Sequence, residues 1–310
     1  MFPADFSYTR ATCLEHALTL LGQAAGDGRD AKVIAGGQSL LPLMKLRLSA
    51  PELVIDIAGL QELRGVVADG DTTVIGALAT YRDLQREADL TTTFPAMGDA
   101  LAVLADPQVR ARGTVGGCVA HGDPAADLPA VLLALDARVT IAGPAGTRTV
   151  ALEYFLLGPF ETDLAPDELV TAITLPAAPA AGMAYEKFEQ PASHLPLAGV
   201  AVTAEVRDGV LASARVAVTG VAPRPFRATR AERDLHGQPP PPLAPAGGGT
   251  ASAAAARTCP IAESMAESGL VALSDQHASG PFRVHLAGIL AHRALARAAA
   301  RAAGLMGGGR

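Results

Sequence analysis

Residues 113–137 read GTVGGCVAHGDPAADLPAVLLALDA, and an upstream run at 35–48 reads AGGQSLLPLMKLRL. Each places two adjacent glycines beside small hydroxyl or amide residues (Gln38, Ser39 and Thr114) and then runs into apolar sequence. Paired glycines let backbone approach a partner without interference from a Cβ, and successive N–H groups there can cradle an anion such as a pyrophosphate. They are equally the signature of tight turns after strands. Neither run fits G-x-G-x-x-G or carries the Lys-Ser/Thr of a P-loop, so a Rossmann domain is not expected.

Working outward, CLEHALTLLGQAAG sets Leu14, Ala17, Leu18 and Leu21 on one helical face, and AKVI and PELVIDI read as short strands. LRGVVADGDTTVIGA reads as a hairpin turning at Asp69-Gly70-Asp71. In LATYRDLQREADL, Thr80 with Asp83 resembles a capping box, and a second helix over FPAMGDALAVLAD stops before Pro107. LPAVLLALDA is helix-like; RVTIAG and ELVTAITLP are strands. A boundary is expected in PAAPAAG (176–182), followed by an antiparallel ribbon turning at Asp208-Gly209 and then helices. Residues 237–256 are rich in Pro, Gly and Ala and read as a surface loop or linker.

A chain of 310 residues exceeds what one core usually supports, so two domains are expected. Its net charge of −6 gives no footprint for nucleic acid or an anionic membrane. Cys13, Cys118 and Cys259 form no C-x-x-C pair, which argues against zinc or an iron–sulfur cluster on this chain. The N-terminus lacks the apolar core of a signal peptide, making a cytoplasmic location the default. The segment 283–303 carries Arg283, Arg293, Arg297 and Arg301, too much charge for a bilayer, and reads as an exposed or partner-facing terminal helix.

The two glycine runs, together with YEKFEQPASHLPLAGVAV (185–202) and ASGPFRVHLAGILAHRAL (278–295), resemble the medium, FAD-binding subunit of molybdenum hydroxylases, the aerobic carbon monoxide dehydrogenase and xanthine dehydrogenase group. The resemblance covers nearly the whole chain. It implies an α+β fold: a two-subdomain FAD-binding domain of the vanillyl-alcohol-oxidase (PCMH) type over 1–177, divided at about residue 58, and a smaller C-terminal domain of antiparallel sheet and helices over 178–310. It further implies that Val33, Ile34, Ala35, Gly36, Gly37, Gln38, Ser39 and Leu40 wrap the FAD diphosphate, with Thr114, Val115, Gly116, Gly117 and Cys118 closing on the other side. Asp127 and Lys187 match residues that line the cofactor site. Cys118 and Leu195 depart from residues common in relatives, which bears on polar contact and solvent access at the flavin.

Other readings of these residues stand beside that one. Asp127 also suits a helix N-cap, Asp123 before Pro124 suits a turn, and Lys187 could ride a strand edge. His121 and His194 have no second ligand at metal spacing and read as loop histidines, His121 beside the cofactor. No nucleophile–base pair or metal constellation is apparent, as expected where the cofactor carries the redox chemistry. The resemblance implies electron transfer from a small [2Fe–2S] subunit through FAD to an external acceptor, with the molybdenum cofactor on a large subunit and a dimer of heterotrimers. A free-standing FAD-dependent oxidase is the alternative, and a nucleotide-binding assembly module without turnover is a third.

Overall fold

A computed structural model describes residues 2–177, 181–243 and 259–305. The first layer contains β1 (Ser7–Arg10), α1 (Leu14–Gly26), β2 (Ala31–Ile34), α2 (Leu40–Lys45) and β3 (Leu53–Asp56). Its three strands are parallel in the order β1-β3-β2, with Leu53 opposite both Ser7 and Ala31. Parallel strands need crossover connections: α2 lies between the neighbours β2 and β3, and the link from β1 across to β2 is α1. It buries Ala17, Leu21 and Ala24 in a core with Leu53, Ile55 and Ile57. The glycine run 35–39 therefore leaves the C-terminal end of a parallel strand.

The second layer begins with the hairpin β4 (Val66–Asp69) and β5 (Thr72–Gly76), turning through Gly70. Six helices follow: α3 (Tyr81–Arg86), α4 (Ala88–Thr93), α5 (Pro95–Val103), α6 (Pro107–Arg110), α7 (Val115–His121) and α8 (Asp127–Ala134). Thr80 and Asp83 form the expected capping box at the start of α3. The helix read across 78–90 is broken at Glu87, and α6 is an addition, started by Pro107 and capped by the Asp106 carboxylate on the Gln108 and Val109 N–H groups. Next come β6 (Arg138–Gly143), β7 (Gly146–Ala151), α9 (Leu152–Phe155), β8 (Leu156–Gly158), β9 (Glu161–Thr162) and β10 (Leu169–Leu175). The five-stranded sheet has the order β4-β5-β10-β6-β7, and every residue of α8 is buried, most of them in the core this sheet shares with its helices.

The third layer is the antiparallel sheet of β11 (Gly182–Glu189), β12 (Pro196–Arg207), β13 (Val210–Thr219) and β14 (Phe226–Arg227). The β12–β13 turn puts Asp208 and Gly209 both at positive φ, 52° and 78°, as a type I′ hairpin requires. Residues 196–204 of β12 are buried without alternation, because α5 and α8 cover one face of the sheet and later helices the other. Those helices are α10 (Thr229–Leu235), α11 (Ile261–Glu267) and α12 (Gly280–Ala302). The boundary segment at 178–180 and most of the 237–256 loop, residues 244–256, lie outside the described residues.

The reading of 283–303 as exposed or partner-facing is corrected by the position of α12. Leu286, Leu290, Ala291, Ala294, Leu295 and Ala298 are buried on the sheet. Three of the four arginines that suggested exposure turn to partners, Arg283 to Asp275 and Arg297 and Arg301 to Asp99 of α5, while Arg293 stays exposed. Asp99 also accepts the Tyr185 N–H at 3.1 Å, joining the last helix, the third sheet and the second layer at one carboxylate. Among the described residues no helix is long and apolar enough to cross a membrane.

Candidate functional site

A cleft of about 930 Å³ runs between the first and second layers, within the range of cofactor sites. Its walls include Val33 to Leu40 from the end of β2, Thr114 and Gly116 to Cys118 from the start of α7, and Tyr81, His121 and Phe160. Of the residues expected at the site, Val115 is fully buried in the second-layer core, its N–H donated to Ala79 O at 3.1 Å. The expected halves thus meet across one cleft, although Gly36 and Gly116 are 80 positions apart in sequence.

The two glycine segments have different physics. After β2, the N–H groups of Gly36, Gly37, Gln38 and Ser39 have no acceptor among the described residues. Gly37 sits at φ +77°, the left-handed conformation that turns successive amides to one side. Four donors without protein acceptors among the described residues, at the end of a parallel strand, are the kind of backbone group that can receive an anion. The second segment is no loop but the opening turn of α7, and its amides are engaged: Gly116 N–H to Ala77 O at 2.9 Å, Gly117 N–H to the Thr114 hydroxyl at 3.2 Å, and Cys118 N–H to Thr114 O at 3.0 Å.

Sterics revise the reason for two glycines. A Cβ on Gly36 would collide with the Arg112 carbonyl, and one on Gly116 with Ala77. Both residues are small because the chain packs closely there, Gly36 bringing the two segments together and Gly116 seating α7 on Ala77 within the second layer. At Gly117 a Cβ would meet only the Thr114 hydroxyl, at 2.8 Å, so this glycine is the exposed one on the cleft side of α7.

Asp127 is not the N-cap considered from sequence; Ala126 holds that position and the carboxylate makes no capping hydrogen bond. It accepts the Tyr185 hydroxyl at 2.7 Å and pairs with Lys187 Nζ at 3.1 Å. Lys187 also donates to the carbonyls of Val103 and His194, each at 2.8 Å. Burial pushes the Asp127 carboxyl up, against Lys187 and Tyr185, which hold it down. This pair lies at the junction with the third layer and is not among the residues lining the cleft. Asp123 makes the expected turn, accepting the Ala125 N–H at 2.8 Å.

His121 stands at the end of α7 with its ring 5.0 Å from that of Phe160, and burial lowers its pKa. His194 is exposed and contributes its carbonyl to Lys187. Leu195 is also exposed and away from the cleft lining. Sequence reasoning passed over Tyr81 and Phe160. The only local signal for Phe160 would have been its place in a two-residue turn, where it adopts φ 58°.

Residues 4–178 match the FAD binding domain in molybdopterin dehydrogenase, and residues 183–298 match the CO dehydrogenase flavoprotein C-terminal domain. The chain belongs to the FAD-binding medium subunits of the carbon monoxide dehydrogenase and xanthine dehydrogenase family. It is 41% identical to the carbon monoxide dehydrogenase medium chain of Hydrogenophaga pseudoflava over 77% of this chain and 82% of that one. Against the carbon monoxide dehydrogenase medium chain of Afipia carboxidovorans it is 34% identical over 97% and 99% of the two chains. Among solved structures, carbon monoxide dehydrogenase from Hydrogenophaga pseudoflava lacking the Mo-pyranopterin moiety of its cofactor superposes with a TM-score of 0.86 at 37% identity, covering 97% of this medium subunit and 99% of that chain. A medium subunit of this family is an oxidoreductase component, and its mixed helix-and-sheet fold carries the family's two domains.

Proposed function

We propose that this medium subunit binds FAD and serves a molybdenum hydroxylase as its electron-transfer flavoprotein, between a small [2Fe–2S] subunit and an external acceptor. The observation that carries this reading is the run of four amides, Gly36 to Ser39, without acceptors among the described residues, at the wall of a cleft of about 930 Å³. A diphosphate needs several N–H donors at short range, and this segment offers them without a competing carboxylate. In this reading Val33, Ile34, Ala35 and Leu40 shape the first wall; Thr114, Val115, Gly116, Gly117 and Cys118 form the second. Asp127 and Lys187 act at the flavin side, by fixing the junction of the two domains beside it.

Bound FAD supplies the redox chemistry, exchanging electrons singly or in pairs. The chain's contribution is binding, orientation and exclusion of water. The same reading places the domains at 1–177, with subdomains of about 1–58 and 59–177, and 178–310. It places substrate oxidation on a large molybdenum-cofactor subunit, in a cytoplasmic dimer of heterotrimers.

The test is expression of the full chain alone and with its partner chains. Stoichiometric FAD without turnover of alcohols, amines or aldehydes supports the proposal; turnover by the chain alone favours a free-standing oxidase, and a chain that takes up no flavin overturns the cofactor assignment.

A further inference from the structure

Tyr81 opens α3 and is only 8% exposed, yet it lines the cleft. Three features hold it in place. Its N–H donates to Gly113 O at 3.0 Å, the Thr80–Asp83 capping box fixes the helix start, and its ring lies where a side chain on Gly113 would otherwise go. Gly113 in turn packs beside Gly36, the first residue of the free-amide run. The phenol is thus placed beside that run of amides through one shared residue.

The hydroxyl faces the Cys118 thiol and has no nitrogen or oxygen partner among the described residues. A thiol is a weak hydrogen-bond partner, which leaves the hydroxyl able to donate to a stronger acceptor in the cleft. Burial first, then Cys118, Asp127 and Asp123, push its pKa well above the ordinary phenol value. The group therefore keeps its proton and is a donor at working pH.

We infer that the Tyr81 hydroxyl donates a hydrogen bond to the diphosphate of the dinucleotide in the cleft, as a side-chain complement to the amides of Gly36 to Ser39. The inference rests on the FAD reading above. It makes Tyr81 a binding residue on the side of the cleft where the amides of the second glycine segment are already engaged by Ala77, Ala79 and Thr114.

Tyr81→Phe keeps the ring on Gly113 and removes only the hydroxyl. Binding to the flavin-stripped full chain is measured by fluorescence titration with FAD, ADP and riboflavin, alongside thermal melting without ligand. Both diphosphate ligands are expected to bind about tenfold more weakly, riboflavin unchanged, with an unaltered melting temperature. Unchanged FAD and ADP affinity in the variant overturns the inference, as does weakening of riboflavin but not ADP. If wild-type chain itself binds no FAD, the cofactor reading fails instead. Should the variant melt early, 3-fluorotyrosine incorporation decides in otherwise wild-type chain: a fluorine shift at position 81 on adding ADP but not riboflavin supports the contact, and no shift with ADP overturns it.

Discussion

Lys187 and Asp127 meet at 3.1 Å across the junction of the two domains, their side chains only 3% and 4% exposed. Two carbonyls complete the ammonium's donors, and the Tyr185 hydroxyl adds to the carboxylate's partners. A buried ion pair contributes little over an apolar pair, but removing one partner strands the other. Lys187→Met should therefore cost about 3–5 kcal/mol in urea unfolding. The double variant Lys187→Met with Asp127→Asn should recover most of that loss; an equally unstable double variant would show that the pairing is not the source.

The first glycine segment should respond unequally to alanine. Gly36→Ala drives a Cβ into the Arg112 carbonyl, which cannot move without parting the two walls of the cleft. At Gly37 the obstacle is the flexible end of Leu41, at 2.9 Å, with a positive φ worth about 1–2 kcal/mol of strain. Flavin-to-protein absorbance ratios should thus fall near zero in Gly36→Ala and only partly in Gly37→Ala.

Asp99 receives Arg297, Arg301 and the Tyr185 N–H. Asp99→Ala takes from Arg301 its only carboxylate among the described residues and leaves Arg297 with Glu186 alone, at a cost of about 1–3 kcal/mol. Because those arginines belong to the C-terminal domain and Asp99 to the FAD-binding domain, calorimetry should resolve two transitions where wild type shows one.

Asp275 should leave a mark on acid stability. Burial is the largest effect and raises its pKa, but it is outweighed by the His277 N–H, the Arg283 guanidinium and the Ala278 N–H, which bring it to about 2. With the folded value depressed, the stabilisation is present above the unfolded value and lost as pH falls from about 4 toward 2. Asp275→Asn should flatten that part of the stability-against-pH curve and lower stability at neutral pH, since Arg283 is buried and loses its charged partner. An unchanged acid limb in the variant would assign it to other carboxylates.

The local elements were legible because their signals are local. The Thr80–Asp83 cap, the Asp208-Gly209 turn and the stripe of α1 depend on residues a few positions apart. The last helix was misjudged because an arginine's counter-charge is invisible in sequence: Arg297 and Arg301 look like solvent-facing charge until Asp99, about two hundred residues upstream, is brought to them. Tyr81 was missed for the same reason, since its chemistry comes from Gly113 and Cys118.

The sequence by itself determined the donors, placing Gly36, Gly37, Gln38 and Ser39 after a strand, where backbone conformation alone frees their amides. Only the tertiary structure decided what each glycine is for. Gly37 serves a positive φ, a property of its own dihedral, whereas Gly36 and Gly116 serve the approach of Arg112 and Ala77, which belongs to the packing of separate segments. A missing Cβ reads identically in both cases, and the neighbour that would meet it exists only in the folded chain.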